Sequence, residues 1–445
     1  HAPVMGAALF HGIGSTFLIT PTAGGAGPEA YEFIVRWQLP KGWDAVCSWA
    51  RGKTAGALLK PGDFRLSVYL AGELVIRRSE TASAADVTVA LPRSLSASAD
   101  DFAEFATGII TEQRAAMEDE EFPPFTVTVM SGKRLPEGQA RVAGSGLYRS
   151  FALYVPPGVK LVRGPATEEI EHLFAHELFH HWNGQTLQAE EPQRLVYWFT
   201  EGLTDYYALR ILFEAERWDA ATYAKWINRH IRQYRANPAR NASNETIAEQ
   251  YWQQRDTVGE APYQRGLLLG LRWHKLAREH GVAEGIDKLF KALLERARKE
   301  DFKLTNGRIR EAGVALLGSW FGPEFDKYVV EAADVGVPKD ALAPELRGKV
   351  QAVYEFELGF EREESLRQSR VVGLKEGSAA AKAGLKEGDE LVGWNIRGDP
   401  DVKVQLQVLR GDQLRTISYF PRGAKTMALQ FAAAATATTR PSSAR

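Results

Sequence analysis

His176 and His180 bracket Glu177, Leu178 and Phe179, and Glu201 follows in the segment Trp198-Phe199-Thr200-Glu201-Gly202. An α-helix turns about 100° per residue, so two histidines at i and i+4 point the same way and can grip one metal ion. Glu177 stands between them, free to act on a water at that ion. A carboxylate from Glu201, carried by a second helix, would make a third protein ligand and leave one coordination position open. That is the layout of a hydrolytic zinc site. The competing explanation is a helix that happens to carry two packed or surface histidines.

The flanks favour the site. Glu168-Glu169-Ile170-Glu171-His172-Leu173-Phe174-Ala175 reads as an amphipathic helix leading into the histidines, and Trp182-Asn183-Gly184 supplies a glycine stop. Asp205 lies four residues after Glu201, on the same face of the second helix. There its carboxylate could accept the remaining ring N–H of a zinc histidine and fix that ring's tautomer. His172 could extend the histidine stripe, but Glu201 completes the set better, so His172 is expected to be packed or to support a ligand without touching the metal. His181 points about 100° away from His180 and falls outside the site.

Three blocks resemble the active-site segments of the glycyl aminopeptidase family of zinc metallopeptidases. They are His176-Glu-Leu-Phe-His-His-Trp-Asn183, Trp198-Phe-Thr-Glu-Gly-Leu-Thr-Asp-Tyr-Tyr207 and Pro262-Tyr-Gln-Arg-Gly266. The family is a gluzincin family, with a thermolysin-like catalytic domain. The resemblance implies zinc ligands His176, His180 and Glu201, a general base at Glu177, and a phenol at Tyr263 that stabilises the transition state. It implies peptide or protein substrates and Zn2+ as cofactor.

One block departs from the family. Its members place a glycine-rich segment ending in Glu upstream of the zinc helix, and that carboxylate holds the substrate's α-ammonium. Here the segment is Gly144-Ser145-Gly146-Leu147-Tyr148-Arg149, with Tyr148 where the Glu would stand. Gly146 and Tyr148 are therefore the candidate substrate-binding residues. A phenol is neutral near pH 7 and cannot pair with an ammonium as a carboxylate does. Peptidase chemistry is thus expected with aminopeptidase-like but relaxed N-terminal specificity. The alternative is a catalytically weak pseudo-peptidase that acts as a peptide-binding adaptor.

Composition bounds the rest. The chain has 445 residues, 44% hydrophobic and 25% charged, with a net charge of -1. These values are those of a globular protein with room for several domains, and no basic cluster points to nucleic acid. No apolar run is long enough to span a bilayer. A lone cysteine, Cys47, excludes an internal disulfide. The chain begins at His1 rather than Met, as it would after removal of a leader or where a longer sequence was cut by design. The compartment is left open, with periplasm or secretion favoured over cytoplasm.

The expected fold is multidomain α+β, with a β-rich domain over residues 1–98, a mainly helical thermolysin-like zinc peptidase domain over 99–345, a PDZ-like domain over 346–425 and a disordered tail over 426–445. Tyr31, Phe33, Val35, Trp37 and Leu39 alternate with mostly polar residues as a strand. Phe64, Leu66, Val68 and Leu70, a turn at Ala71-Gly72, then Leu74 and Ile76 read as a hairpin. A helix is expected from about Asp101 to Met117 and a strand through Phe125, Val127 and Val129. Further on, Glu357-Leu358-Gly359-Phe360 resembles the carboxylate-binding loop of PDZ domains. The run from Gly377 to Leu391 resembles their short helix and following strand. The resemblance implies that the N–H groups of Leu358, Gly359 and Phe360 receive a peptide C-terminus while a strand edge accepts the peptide backbone. Arg265, Tyr206, Tyr207, His230, His274 and His280 are expected to pack or pair within the fold.

Overall fold

The computed structural model describes residues 4–6, 8–19, 30–79, 86–131, 142–156, 159–161, 164–255 and 257–434. These divide into two compact units, the first ending at His181 and the second beginning at Trp182.

The first unit is built on two five-stranded sheets and a separate strand pair. Its strands are β1 (Val4–Gly6), β2 (Leu9–Ile13), β3 (Tyr31–Arg36), β4 (Asp44–Cys47), β5 (Ala50–Arg51), β6 (Thr54–Leu59), β7 (Val68–Gly72), β8 (Leu74–Ser79), β9 (Val87–Pro92), β10 (Phe125–Ser131), β11 (Ala143–Leu147) and β12 (Ser150–Val155). One sheet has the order β1-β2-β7-β4-β5, the other β11-β12-β10-β9-β8, and β3 pairs with β6. In β3 the half-buried Tyr31, Phe33 and Val35 alternate with exposed neighbours, as their period of two requires.

The hairpin expected around Ala71-Gly72 is not formed. Phe64 lies on a short helix, α1 (Pro61–Arg65), β7 pairs with β2 and β4, and β8 pairs with β9 in the other sheet. Alternating apolar residues mark a strand but do not name its partner. Gly72 is needed for another reason: a Cβ there would sit 2.7 Å from the Ala8 carbonyl oxygen, so glycine permits the close approach of the β2 strand.

In the second sheet β9, β10 and β12 run parallel. Parallel neighbours need a crossover, and α2 (Ala99–Met117) supplies it between β9 and β10. Its buried Phe102, Phe105, Ala106, Ile109, Ile110 and Gln113 follow the helical repeat and pack on β8, β9 and the next helix, α3 (Pro165–Phe179). The boundary expected at residue 98 therefore has no counterpart, because β8 and β9 share a sheet with β10, β11 and β12.

The second unit is mainly helical at first: α4 (Tyr197–Thr200), α5 (Gly202–Glu214), α6 (Ala220–Ala236), α7 (Asn244–Gln250), α8 (Ala261–Glu279), α9 (Asp287–Lys299), α10 (Asn306–Leu317) and α11 (Phe321–Phe325). Every residue of α5 from Gly202 to Leu212 is buried, which makes it the central helix. It crosses α8 in direct backbone contact. A Cβ on Gly202 would lie 2.4 Å from the Gly266 Cα, and one on Gly266 would lie 1.8 Å from the Trp198 carbonyl oxygen. No other residue type fits either position.

The unit continues into β13 (Leu346–Phe356), α12 (Arg362–Gln368), α13 (Ala379–Lys382), β14 (Glu390–Asn395), β15 (Val404–Arg410), β16 (Gln413–Tyr419) and β17 (Arg422–Ala433). Strand β13 pairs antiparallel with β17, and β14, β15 and β16 form a three-stranded antiparallel sheet. Leu358, Val371, Leu391 and Leu406 belong to a core of their own. One feature corrects the sequence reading: strand β17 runs through residues 426–433, where a disordered tail is expected; residues 435–445 lie outside the described residues. The residues just after the Leu358-Gly359-Phe360 loop form the helix α12.

This C-terminal part is anchored on α6. Asn228 exchanges two hydrogen bonds with the Phe431 backbone, at 2.7 and 2.8 Å, and Arg232 meets Asp399 at 3.1 Å. Among the described residues, no helix is long and apolar enough to cross a membrane.

Candidate metal centre

Helix α3 carries two stripes. Ile170, Phe174, Ala175, Leu178 and Phe179 are buried, and α3 packs against α2, β11 and β12. That burial fixes the rotation of the helix, and His172, His176, Glu177 and His180 emerge on its other side. A buried Gln113 on α2 donates to the Ala175 carbonyl at 2.7 Å and pins the helix next to His176. His180 keeps helical geometry as the C-cap, so it remains in line with His176, and the chain then turns away at Gly184, whose φ of 147° suits glycine.

The two imidazoles converge. Their Nε2 atoms are 3.2 Å apart, and the ring planes stand at 87°. Two nitrogens bound to one tetrahedral zinc at about 2.05 Å would be separated by roughly 3.3 Å. Ligand atoms of His176, His180 and Glu201 all lie within 4.8 Å of one another. The donor set of two imidazoles and a carboxylate suits zinc. His172, His176 and Asp205 form a second group within the same span, which is the neighbourhood expected for a carboxylate that orients a ligand histidine.

Glu201 sits at the junction of α4 and α5. Its N–H donates to Tyr197 and its carbonyl accepts from Asp205, so it continues the helical ladder without a break. Asn183 ties the chain just after the histidines to this junction. Its buried side-chain amide donates to the carbonyls of Phe199 and Thr200 and to the Thr204 hydroxyl, at 2.9, 3.2 and 3.1 Å. The sequence placed Asn183 in a family block but gave it no task; its task is this strap. Gln113 carried no signal at all.

Glu177 has a fixed partner. The Gly146 N–H donates to its Oε2 at 2.8 Å, and a Cβ on Gly146 would meet that oxygen and the Glu177 carbonyl at 2.9 Å. Gly146 thus lies directly against the expected base. Tyr148 has a different setting. It packs against the cluster containing Phe64 and Tyr69, its N–H donates to the Leu66 carbonyl, and the Arg149 guanidinium lies 5.1 Å from its ring centre. Burial, ahead of the neighbouring charges, raises its hydroxyl pKa, so Tyr148 stays neutral.

Tyr263 stands in the first turn of α8, three residues before the Gly266 contact with α4 and α5. The crossing of the two glycines therefore sets Tyr263 near Glu201. Burial first, then the Glu201 carboxylate and Tyr251, push the phenol far above its usual pKa, which leaves it a neutral hydrogen-bond donor.

The remaining candidates have structural partners. Arg265 is fully buried and donates to the Arg240 carbonyl at 2.9 Å. Tyr206 and Tyr207 bond to Arg210 and Asp287 respectively. His181 packs edge-on against Phe122. His230 is buried, His274 lies 3.2 Å from Arg210, and His280 stacks on Trp320. In the C-terminal loop Leu358 and Phe360 are buried in the local core, and Gly359 has a φ of 88°.

Residues 169–269 match the M61 glycyl aminopeptidase family. The matched segment holds His176, Glu177, His180, Glu201 and Tyr263, and is less than a quarter of the chain. No curated protein sequence matches the chain. Among solved structures, an aminopeptidase N family protein from Idiomarina loihiensis is similar at a TM-score of 0.69 and 15% identity, over 97% of this chain and 82% of that one. An M1 zinc metallopeptidase from Deinococcus radiodurans is similar at a TM-score of 0.49 and 15% identity, over 76% of this chain and 73% of that one. At such identity the first likeness is one of fold, and the second is too distant to add to it. The family match supports a peptidase.

Proposed function

We propose that the protein is a zinc-dependent peptidase with an aminopeptidase-like site and relaxed selection of the substrate N-terminus. The observation that carries this is the convergence of His176, His180 and Glu201 within 4.8 Å. Glu177 stands on the same helix with its carboxylate held by Gly146. A zinc ion held by the three ligands would supply Lewis acidity and bring the pKa of water from about 15.7 toward about 7. Glu177 takes the proton of the attacking water and returns it to the leaving amine. Gly146 fixes the carboxylate for that transfer. Tyr263 donates to the carbonyl oxygen as charge develops on it, a contribution on the order of 3 kcal/mol for a well-placed neutral donor.

Relaxed specificity follows from Tyr148. A neutral phenol packed among aromatic residues supplies no anion for a substrate ammonium, whereas strict aminopeptidases need one to reject blocked ends. The test compares kcat/KM for an alanyl or glycyl peptide and its N-acetyl counterpart. The proposal expects a preference for the free amine well below about 1000-fold, or roughly 4 kcal/mol, and a larger one would overturn it.

The C-terminal module admits a second reading. The N–H groups of Leu358, Gly359 and Phe360 make no hydrogen bond among the described residues, which supports reception of a peptide carboxylate as in PDZ domains. The helix α12 beside that loop and the anchoring of β17 on α6 favour a packing role instead. Titration with a labelled peptide ending in a free carboxylate, against its amidated twin, separates the two.

A further inference from the structure

Arg194 lies on the short helical turn Gln193–Val196, which leads directly into α4 and so to Glu201 at its end. Its guanidinium is 5.8 Å from the ring centres of both Tyr251 and Trp252. Those two rings meet edge to face at 4.9 Å, and Tyr251 meets Tyr197 at 5.2 Å. Trp252 is 67% exposed, so this aromatic corner opens to solvent. It also adjoins the site. The Tyr251 hydroxyl lies 3.2 Å from that of Tyr263. Chained through Tyr251, these spacings put the guanidinium no more than about 12 Å from the Tyr263 hydroxyl, the length of about three to four extended residues. The Tyr197 phenol feels both charges: burial, then Glu201 and Tyr251, raise its pKa, while Arg194 lowers it.

The arginines around this corner have acids, and Arg194 does not. Arg255, 4.7 Å from the Tyr251 ring centre, meets Glu260 at 3.7 Å. Arg240 pairs with Asp334 at 2.8 Å and Arg308 with Glu190 at 3.2 Å. Among the described residues Arg194 makes no ion pair, and its buried Nε–H meets no acceptor. The neighbouring acids have other tasks: Glu191 accepts from the Gln193 N–H at 3.3 Å, and Glu201 is given to the metal. A ring face attracts a guanidinium's charge but supplies none of the in-plane acceptors that its N–H fork seeks. A carboxylate supplies them, two at once.

We propose that Arg194 is a specificity residue that binds a carboxylate of the peptide substrate, the C-terminus of a short peptide or an acidic side chain. The proposal rests on the peptidase reading made above. It places the charge selection of this site at the anionic group of the substrate, whereas Tyr148 offers nothing to the ammonium end.

The zinc-loaded full chain tests it with alanine tripeptide and tetrapeptide, each as free acid and as C-terminal amide. A second arm sets Ala-Glu-Ala amide against Ala-Gln-Ala amide. In one arm or the other the acid should exceed its neutral twin by about 10-fold in kcat/KM, mostly through KM, and the arm that shows this names the source of the carboxylate. Added salt should shrink the preference, because the guanidinium is reached from solvent. Arg194→Gln should bring the ratio below about 2-fold, and Arg194→Lys, which keeps the charge but not the fork, should retain part of it. Each ratio is taken within one protein, so a loss of folded or zinc-loaded material cancels out of it. A ratio near one in the unsubstituted chain, or an undiminished ratio in Arg194→Gln, would overturn the proposal and leave the peptidase reading standing. Absence of zinc-dependent hydrolysis of every peptide, amides included, would overturn both.

Discussion

The proposed metal ligands and the groups proposed to act on the substrate respond differently to substitution. Tyr263 is proposed as one of the second kind. It is neutral and near Glu201, so Tyr263→Phe should keep zinc and lower kcat about 100-fold or more with little change in KM. Steady-state kinetics check this, and a KM effect alone would show that Tyr263 only lines the site. Glu201→Ala should lose both zinc and activity, as read by metal analysis after dialysis. The residue types were legible because two histidines at helical spacing constrain geometry strongly. Gly146 was legible only as a member of a displaced block. Its contact with Glu177 joins a strand to a helix, and no local pattern encodes that.

Elements decide whether those residues meet. Helix α3 forms where its apolar repeat puts it but ends at Phe179, ahead of the expected stop at Gly184, while α2 and β10 lie where their patterns put them. The Gly72 segment shows where the pattern stops helping. β7 and β8 each have the alternation of a hairpin arm, yet pair in different sheets, because partner choice is set by long-range packing. The crossing of α5 and α8 was equally silent in the sequence, although Gly202 and Gly266 both sit in family blocks. Gly266→Ala would drive a methyl against the Trp198 carbonyl, which stands 1.8 Å from the new Cβ position. It should destabilise the fold by on the order of 3 kcal/mol and weaken zinc binding by displacing Glu201. Gly336→Ala, which meets nothing within 4 Å, is the matched control. Denaturant unfolding and zinc titration of the two variants measure both effects.

Across the whole molecule, stability should depend on pH and on the C-terminal module. His11 is 1% exposed, bonded to Thr128 and Tyr154, and its pKa is lowered by burial to about 4. A histidine depressed from about 6.5 binds its proton more readily in the unfolded chain, so it favours unfolding as pH falls from about 6.5 toward about 4. The full loss is on the order of 3 kcal/mol. The thermal midpoint should fall over that window, and His11→Gln should flatten the fall. Removal of everything after residue 345 would strip Phe431 of β17 from Asn228 and Asp399 from Arg232 on α6. The truncated chain should show a lower midpoint than the full chain; an unchanged midpoint would make the module a separate folding unit.

His176, His180 and Glu201 are proposed to hold a catalytic zinc, with Glu177, on the helix of the two histidines, as base and not as ligand. Glu177→Gln isolates it, since the amide keeps the shape of the side chain but cannot take a proton. Zinc content and peptide hydrolysis should be measured on the same preparation as the unsubstituted protein. One zinc per chain is expected in both, with nearly complete loss of hydrolysis in the variant. Stoichiometric zinc with undiminished turnover, or loss of zinc with the substitution, would contradict it.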